Sequence, residues 1–291
     1  MRAHRDFPGL AVHDDEELAT MLGSEVVVRR LVHEWPLTRT EELRLADGRR
    51  LAYKTQLPPS VEPQFYARAR SPLLVEHTDL GRAGQGHAIA TAWIDGPTLH
   101  SSAGDVDAYL RCADRVTNSI LEISGDPPVH LDLSTESAWQ AAVRSTSRRL
   151  RALIRAGRFV RIPTERVDGL QAWAERSATI AAVTADPGIV HGDLTPEEIF
   201  LLNDGDGADE HCRVVDWQRP VRGPRGLDLV ALLRARGIDP RTRLDAELVR
   251  IEAFPLLHWA ALAAKEILPS MPPRLPEEWV LTSLDRILGP W

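Results

Sequence analysis

The first third of the chain carries its apolar residues in short runs bounded by polar and turn-forming positions. Glu25 to Leu31, Glu42 to Leu45, Arg50 to Thr55, Leu73 to Val75 and His87 to Ile94 have this form and predict β-strands. Asp47-Gly48 separates two of them as a hairpin turn. One short helix is expected near Glu62. From Asp105 the period lengthens, and Val106 to Ile123, Glu136 to Ile154, Val167 to Val183 and Leu244 to Ile267 predict helices. Leu150-Leu153-Ile154 and Leu256-Leu257-Ala260-Ala261 have the spacing of a buried helical face. Only Gly188-Ile189-Val190 and Arg213-Val214-Val215 interrupt this half as strands, with a turn signal between them at Leu202-Asn203-Asp204-Gly205-Asp206-Gly207. The pattern describes an α+β protein, β-rich first and mainly helical afterwards.

The interrupting strands each lead into a carboxylate, in His191-Gly192-Asp193-Leu194-Thr195-Pro196-Glu197-Glu198 and in Val214-Val215-Asp216-Trp217-Gln218. A hairpin built from the two strands brings Asp193 and Asp216 to one rim. Phosphoryl transfer uses such a pair, one carboxylate to receive the proton of an attacking hydroxyl and another to hold Mg²⁺ on the nucleotide phosphates. Ordinary strand-end aspartates are the alternative for either residue alone. Lysine usage adds a second candidate. Of 35 basic residues only Lys54 and Lys265 are lysines, and Lys54 sits in the strand-like run Arg50-Leu51-Ala52-Tyr53-Lys54-Thr55. An ammonium is a compact point charge suited to phosphate oxygens, whereas guanidinium is a planar fork. An exposed surface lysine is the competing interpretation.

Together these segments resemble the aminoglycoside phosphotransferase family, relatives of choline kinase within the protein-kinase-like fold. The family's catalytic loop, roughly HGDxxxxN, is matched by His191, Gly192, Asp193 and Pro196, and its later hydrophobic-D-W/F step by Asp216 and Trp217. Gly226-Leu227-Asp228-Leu229-Val230 is similar to a G-x-D-L-A element whose aspartate steadies the catalytic loop. Glu62-Pro63-Gln64-Phe65-Tyr66 is similar to a helix whose glutamate pairs with the nucleotide lysine. Ala92-Trp93-Ile94-Asp95-Gly96 is similar to the hinge, where the backbone at Trp93 and Ile94 would meet adenine. The resemblance implies a two-lobed protein-kinase-like fold, with a small β-rich N-lobe over 1–94 (a sheet plus one helix) and a larger, mainly helical C-lobe over 95–291. It implies ATP and Mg²⁺ as cofactors, Asp193 as the catalytic carboxylate, Lys54 and Glu62 on the phosphates, Asp216 on the metal, and His191 and Asp228 as supports of the loop.

Two positions depart from the family pattern. The loop expected at about Val32 to Glu41 has no glycine with which to cradle phosphates, leaving Thr38 and Thr40 as candidates or as solvated turn residues. Glu198 stands where the family has asparagine. Its carboxylate is a hard oxygen ligand suited to Mg²⁺, but it cannot donate a hydrogen bond and it crowds Asp193 and Asp216 with negative charge. Without metal such crowding raises at least one carboxyl pKa.

Composition narrows the partners. A 291-residue chain with net charge −7 lacks the basic excess of a nucleic-acid binder. Cys112 and Cys212 have no metal-ligand spacing, and Cys212 is expected to be a small buried hydrophobe. The eight tryptophans, Trp139, Trp173 and Trp259 among them, are chiefly packing residues. The opening residues lack a signal-peptide core and no apolar run approaches membrane-spanning length, so a cytoplasmic location without membrane association is expected. The resemblance implies a small hydroxylated acceptor, often an antibiotic or natural product. Two other functions stay open: a Ser/Thr kinase acting on a precursor peptide in peptide natural-product biosynthesis with a partner lyase, and a nucleotide-binding pseudokinase, suggested by Glu198.

Overall fold

A computed structural model of the chain describes residues 1–4, 7, 9–102, 104–202 and 211–289. They form two compact units. The first comprises Met1–Gly104, Glu122–His130 and Glu197–Arg219, and the second Asp105–Leu121, Leu131–Pro196 and Pro220–Trp291.

The first unit is built on a five-stranded antiparallel sheet in the order Val26–Trp35, Thr38–Leu45, Arg50–Gln56, Gly86–Ala92, His77–Ala83. Four strands overlap the apolar runs that predict them. Leu73 and Val75 are buried but form no strand, and the edge strand is instead His77–Ala83. The stretch expected as a loop from Val32 to Glu41 is almost all strand, turned over at Pro36-Leu37. Thr38 and Thr40 are therefore strand residues. The pattern also misses a helix, Asp15–Leu22, although its local signals are present. Asp14 and Glu17 form a capping box and Gly23 closes the helix in the left-handed conformation. Leu18 and Leu22 from this helix pack with Leu43, Tyr53, Ala88 and Ala90 of the sheet. The expected helix near Glu62 spans Glu62–Arg68.

A hairpin from the later part of the chain completes this unit. Ile199–Leu202 pairs antiparallel with His211–Val214. The hairpin's arms thus differ from those expected: the strand before Asp193 does not pair with the strand before Asp216. The strands on either side of the turn signal pair with each other, and residues 203–207 of that signal lie outside the described residues. Leu201 N–H donates to the Pro97 carbonyl at 2.9 Å, and a Cβ on Gly96 would stand 2.7 Å from the Leu201 oxygen. Glycine at position 96 is what lets the two backbones approach.

The second unit is mainly helical. The expected helices form as Val106–Leu121 and Glu136–Arg155, while the next run divides into Thr164–Ala174 and Ser177–Thr184. The run from Leu244 becomes Ala246–Ile251, Ala253–Leu262 and a π-turn at Ala263–Ile267. Leu227–Ala235 and Arg274–Leu288 complete the described helices of this unit. Trp139 is fully buried against Trp173 and Phe254, with ring centroids 5.6 and 4.6 Å away, and its indole N–H donates to the Ala174 carbonyl. Trp259 is buried too, so all three named tryptophans serve packing. Pro187–Val190 pairs antiparallel with Val221–Pro224, which pairs in parallel with Leu131–Asp132. That small sheet sets the position of the loop beginning at His191.

Among the described residues no helix is long and apolar enough to cross a membrane. Both cysteines are buried and unbridged.

Candidate active site

In the first unit a cavity of about 610 Å³ is lined by Lys54, Glu62, Trp93, Ile94, Glu198 and Asp216, residues drawn from five separate stretches of sequence. Lys54 projects from the strand Arg50–Gln56, and its Nζ lies 2.6 Å from Glu62 Oε2 while also donating to Asp216 Oδ1. Burial pulls the Lys54 pKa down, and the charges of Asp216 and Glu62 more than offset it, so it stands above the ordinary lysine value. For Glu62, burial is the largest influence and pushes the carboxyl up, against the opposing charge of Lys54. The lysine is therefore a buried, permanently charged group flanked by two carboxylates.

Asp216 is positioned by its neighbours in sequence. It adopts φ +71°, a left-handed conformation that aspartate tolerates better than most residues. Trp217 is fully buried, stacks on Phe65 at 4.6 Å and donates from its indole to the Val214 carbonyl. Gln218 Nε2 donates to Asp216 Oδ1 at 2.7 Å. The Asp-Trp step thus ties the carboxylate to the helix that carries Glu62. Gln218, which also lines the cavity, was not singled out from the sequence; its only signal was a polar side chain two residues after the aspartate.

The strand residues Thr38 and Thr40 and the segment from Thr91 to Ile94 complete the wall. Trp93 N–H donates to the Arg50 carbonyl at 3.0 Å, and the Arg50 guanidinium lies 4.5 Å from the Trp93 ring centroid. Arg50 is itself held by Glu42 and Asp95. The Trp93 amide therefore extends the pairing of the strands Arg50–Gln56 and Gly86–Ala92 rather than being directed at a ligand.

The donor set can be tested against Mg²⁺. This ion takes hard oxygen ligands and is commonly held by one or two carboxylates together with substrate phosphates. Asp216 and Glu198 both line the cavity and supply that number. Among the described residues no group of three or more His, Cys, Asp or Glu side chains is arranged to hold a metal, so phosphate oxygens would be needed to complete the coordination.

In the second unit the loop His191–Thr195 follows the strand Pro187–Val190. Asp228, on the first turn of Leu227–Ala235, accepts the His191 N–H at 2.7 Å and the Gly192 N–H at 3.0 Å, one on each oxygen. Gly192 has φ +80°, a conformation only glycine takes without steric cost. Burial pushes the Asp228 carboxyl up, opposed by His191 and by the two backbone donors. Asp228 and His191 are buried, whereas Asp193 is exposed. Asp193 and Asp228 line a cavity of about 310 Å³ that also includes Arg234, Glu252 and Arg286. These last three belong to no motif and carry no local signal, because they meet only through helix packing.

The sequence model of the APH phosphotransferase enzyme family matches residues 67–264. That span holds Asp193, Glu198, Asp216 and Asp228, while Lys54 and Glu62 precede it. No curated protein sequence matches the chain. Among solved structures, a choline/ethanolamine kinase family protein from Mesorhizobium loti aligns with TM-score 0.64 and 14% identity, over 94% of this chain and 92% of that one. Macrolide 2'-phosphotransferase type I aligns with TM-score 0.57 and 17% identity, over 97% and 99%. The GDP and kanamycin complex of APH(2")-IIia aligns with TM-score 0.60 and 12% identity, over 94% and 96%. At these identities the likeness concerns the fold, which is the protein-kinase-like α+β fold.

Proposed function

This chain belongs to the APH phosphotransferase enzyme family, and we propose that it transfers the γ-phosphoryl group of ATP to a hydroxyl of a small molecule of antibiotic or natural-product type. It is an enzyme, a phosphotransferase acting on hydroxyl acceptors. The observation that carries the nucleotide assignment is the Lys54 ammonium held between Glu62 and Asp216 on the wall of the 610 Å³ cavity. GDP in one structural neighbour supports nucleotide use.

In this reading Lys54, held in place by Glu62, binds phosphate oxygens of the nucleotide. Asp216 and Glu198 would hold Mg²⁺, which would neutralise charge on the phosphates. Asp193 orients the acceptor hydroxyl and takes its proton as the oxygen attacks phosphorus. Asp228 keeps the His191-Gly192 backbone, and with it Asp193, in register. The small volume of the cavity beside Asp193, about 310 Å³, supports a small acceptor over an extended peptide.

Transfer of label from γ-labelled ATP to a panel of hydroxylated compounds tests the proposal. Labelled phosphoester should form with Mg²⁺ present and fail to form with Asp216→Asn. Absence of both transfer and a Mg²⁺-dependent thermal shift with ATP overturns it.

A further inference from the structure

The cavity beside Asp193 has a charge pattern that bears on what enters it. Arg234 comes from the helix Leu227–Ala235, Glu252 from the junction of Ala246–Ile251 and Ala253–Leu262, and Arg286 from Arg274–Leu288. Glu252 Oε2 lies 3.3 Å from Arg234 Nε, and Glu252 Oε1 lies 4.0 Å from Arg286 Nη1. One carboxylate is thus shared by two guanidiniums. The closer approach lacks hydrogen-bond geometry, for Arg234 Nε and Glu252 Oε2 are both buried and neither has a hydrogen-bond partner among the described residues. Arg234 Nη2 donates to the Val249 carbonyl at 3.1 Å, which fixes the plane of its fork. Arg286, with 37% of its side chain exposed, has Glu252 as its one ion-pair partner among the described residues.

The other two carboxylates of the cavity, Asp193 and Asp228, outnumber the guanidiniums together with Glu252, but they are directed to other tasks. Both oxygens of Asp228 are taken by backbone N–H groups, and Asp193 is the group that must face the reacting hydroxyl. Burial pushes the Glu252 carboxyl up, with Arg234 and Arg286 opposing. Apart from Asp193, which must face the hydroxyl, a cationic acceptor would find only carboxylates already engaged by backbone N–H groups or guanidiniums. A planar guanidinium fork matches carboxylate and phosphate oxygens. The volume, about 310 Å³, is at the low end for ligand pockets and suits a molecule of about hexose size.

We propose, on the basis of the phosphotransferase function above, that the acceptor is a small hydroxylated molecule bearing a carboxylate or phosphate group, which Arg286 and Arg234 bind while Asp193 receives the hydroxyl. This sets the chain apart from enzymes whose acceptors are polycationic, and it makes Arg286 a residue that determines specificity.

A matched set of sugars differing in charge tests this: a hexose, its hexosamine, its hexuronate and its hexose phosphate. Calorimetric binding to the full chain is measured first, without turnover, and then phosphoryl transfer with labelled ATP. The hexuronate or the hexose phosphate should bind at least about tenfold more tightly than the hexose and the hexosamine, and the better of the two identifies the anionic group. Arg286→Ala should weaken that binding, and raise KM, by about 10- to 100-fold, the range of one charge-assisted contact, while changing kcat far less. Arg286→Lys should recover part of the loss. Equal or tighter binding of the neutral or cationic sugar overturns the proposal, as does failure of every anionic sugar to bind. So does unchanged affinity in Arg286→Ala. If that variant does not fold, the wild-type panel and Arg286→Lys decide. Arg286-dependent binding of an anionic sugar with no transfer to any acceptor would reject the phosphotransferase function and keep the anion site. Transfer confined to the hexosamine would do the reverse.

Discussion

Replacing Lys54 by alanine leaves two carboxylates facing each other across the space the ammonium filled. Glu62 is 2% exposed, so its charge loses its partner in a poorly solvated place. At the observed 2.6 Å separation and an effective dielectric of about 20, the Lys54–Glu62 attraction is about 6 kcal/mol before desolvation is counted. Breaking a buried pair on one side costs about 3–5 kcal/mol net, and Lys54→Ala should destabilise the protein by that amount at pH 8. Glu62 can escape the penalty by taking a proton, since burial already pushes its pKa above the ordinary value and loss of Lys54 pushes it further. A carboxyl whose folded pKa is raised favours the folded state at low pH and loses that advantage as pH rises. The gap between variant and wild type should therefore narrow toward pH 5. Glu62→Gln in the Lys54→Ala background removes the stranded charge and should recover much of the loss. Urea unfolding of the wild type, both single variants and the double variant at pH 8 and pH 5 gives the coupling energy directly. Additive effects, or a Lys54→Ala protein as stable as wild type at pH 8, would refute the buried triad. ATP and adenosine titrations of the same variants give a second reading. ATP should lose about 1.5–3 kcal/mol and adenosine almost nothing. Equal losses for the two ligands would show that Lys54 is not the phosphate lysine.

Three further outcomes are expected. Asp193→Asn should fold and bind nucleotide normally while turnover falls by about 10² or more, and near-normal turnover with an identified acceptor would remove Asp193 from the reaction. Glu198→Gln should make ATP affinity less dependent on Mg²⁺ and strengthen metal-free binding, as calorimetry with and without Mg²⁺ would show; identical titrations for variant and wild type would dismiss a metal role for this residue. Burial, then the charge of Arg219, holds the His130 pKa down to about 4. Between about pH 6.5 and pH 4 the unfolded chain gains a proton at this residue that the folded chain does not. The stability present above about pH 6.5 should thus fall by about 3 kcal/mol on the way to pH 4. His130→Gln should flatten that slope in urea unfolding, and an unchanged slope would assign the pH dependence elsewhere.

What the sequence by itself determined is the chemistry carried by adjacent residues. The loop His191-Gly192-Asp193 and the Asp216-Trp217 step are contiguous, and their side chains have the same chemistry wherever the chain places them. Lys54 stood out because it lies on a strand-like run in a chain that almost always uses arginine, with Glu62 on the next helix. The α+β class followed from a change of apolar period near Asp105, a local property of the backbone. Strand and helix ends were less secure. The capping box at Asp14 and Glu17 was written in the chain, yet the short helix behind it carries too little apolar pattern to stand out.

Only the tertiary structure decided which distant segments meet. Turn chemistry is local but strand partnership is not, so Pro187–Val190 pairs with Val221–Pro224 instead of with the strand that leads to Asp216. Gln218 became a partner of Asp216 because the left-handed backbone at position 216 folds its side chain back. Glu62 became a buried charge because Phe65 of its helix stacks on Trp217, more than 150 residues along the chain. Arg234, Glu252 and Arg286 carry no pattern of their own. Their meeting depends on how apolar helix faces pack, and that packing is set by the whole core rather than by any sequence near the three residues.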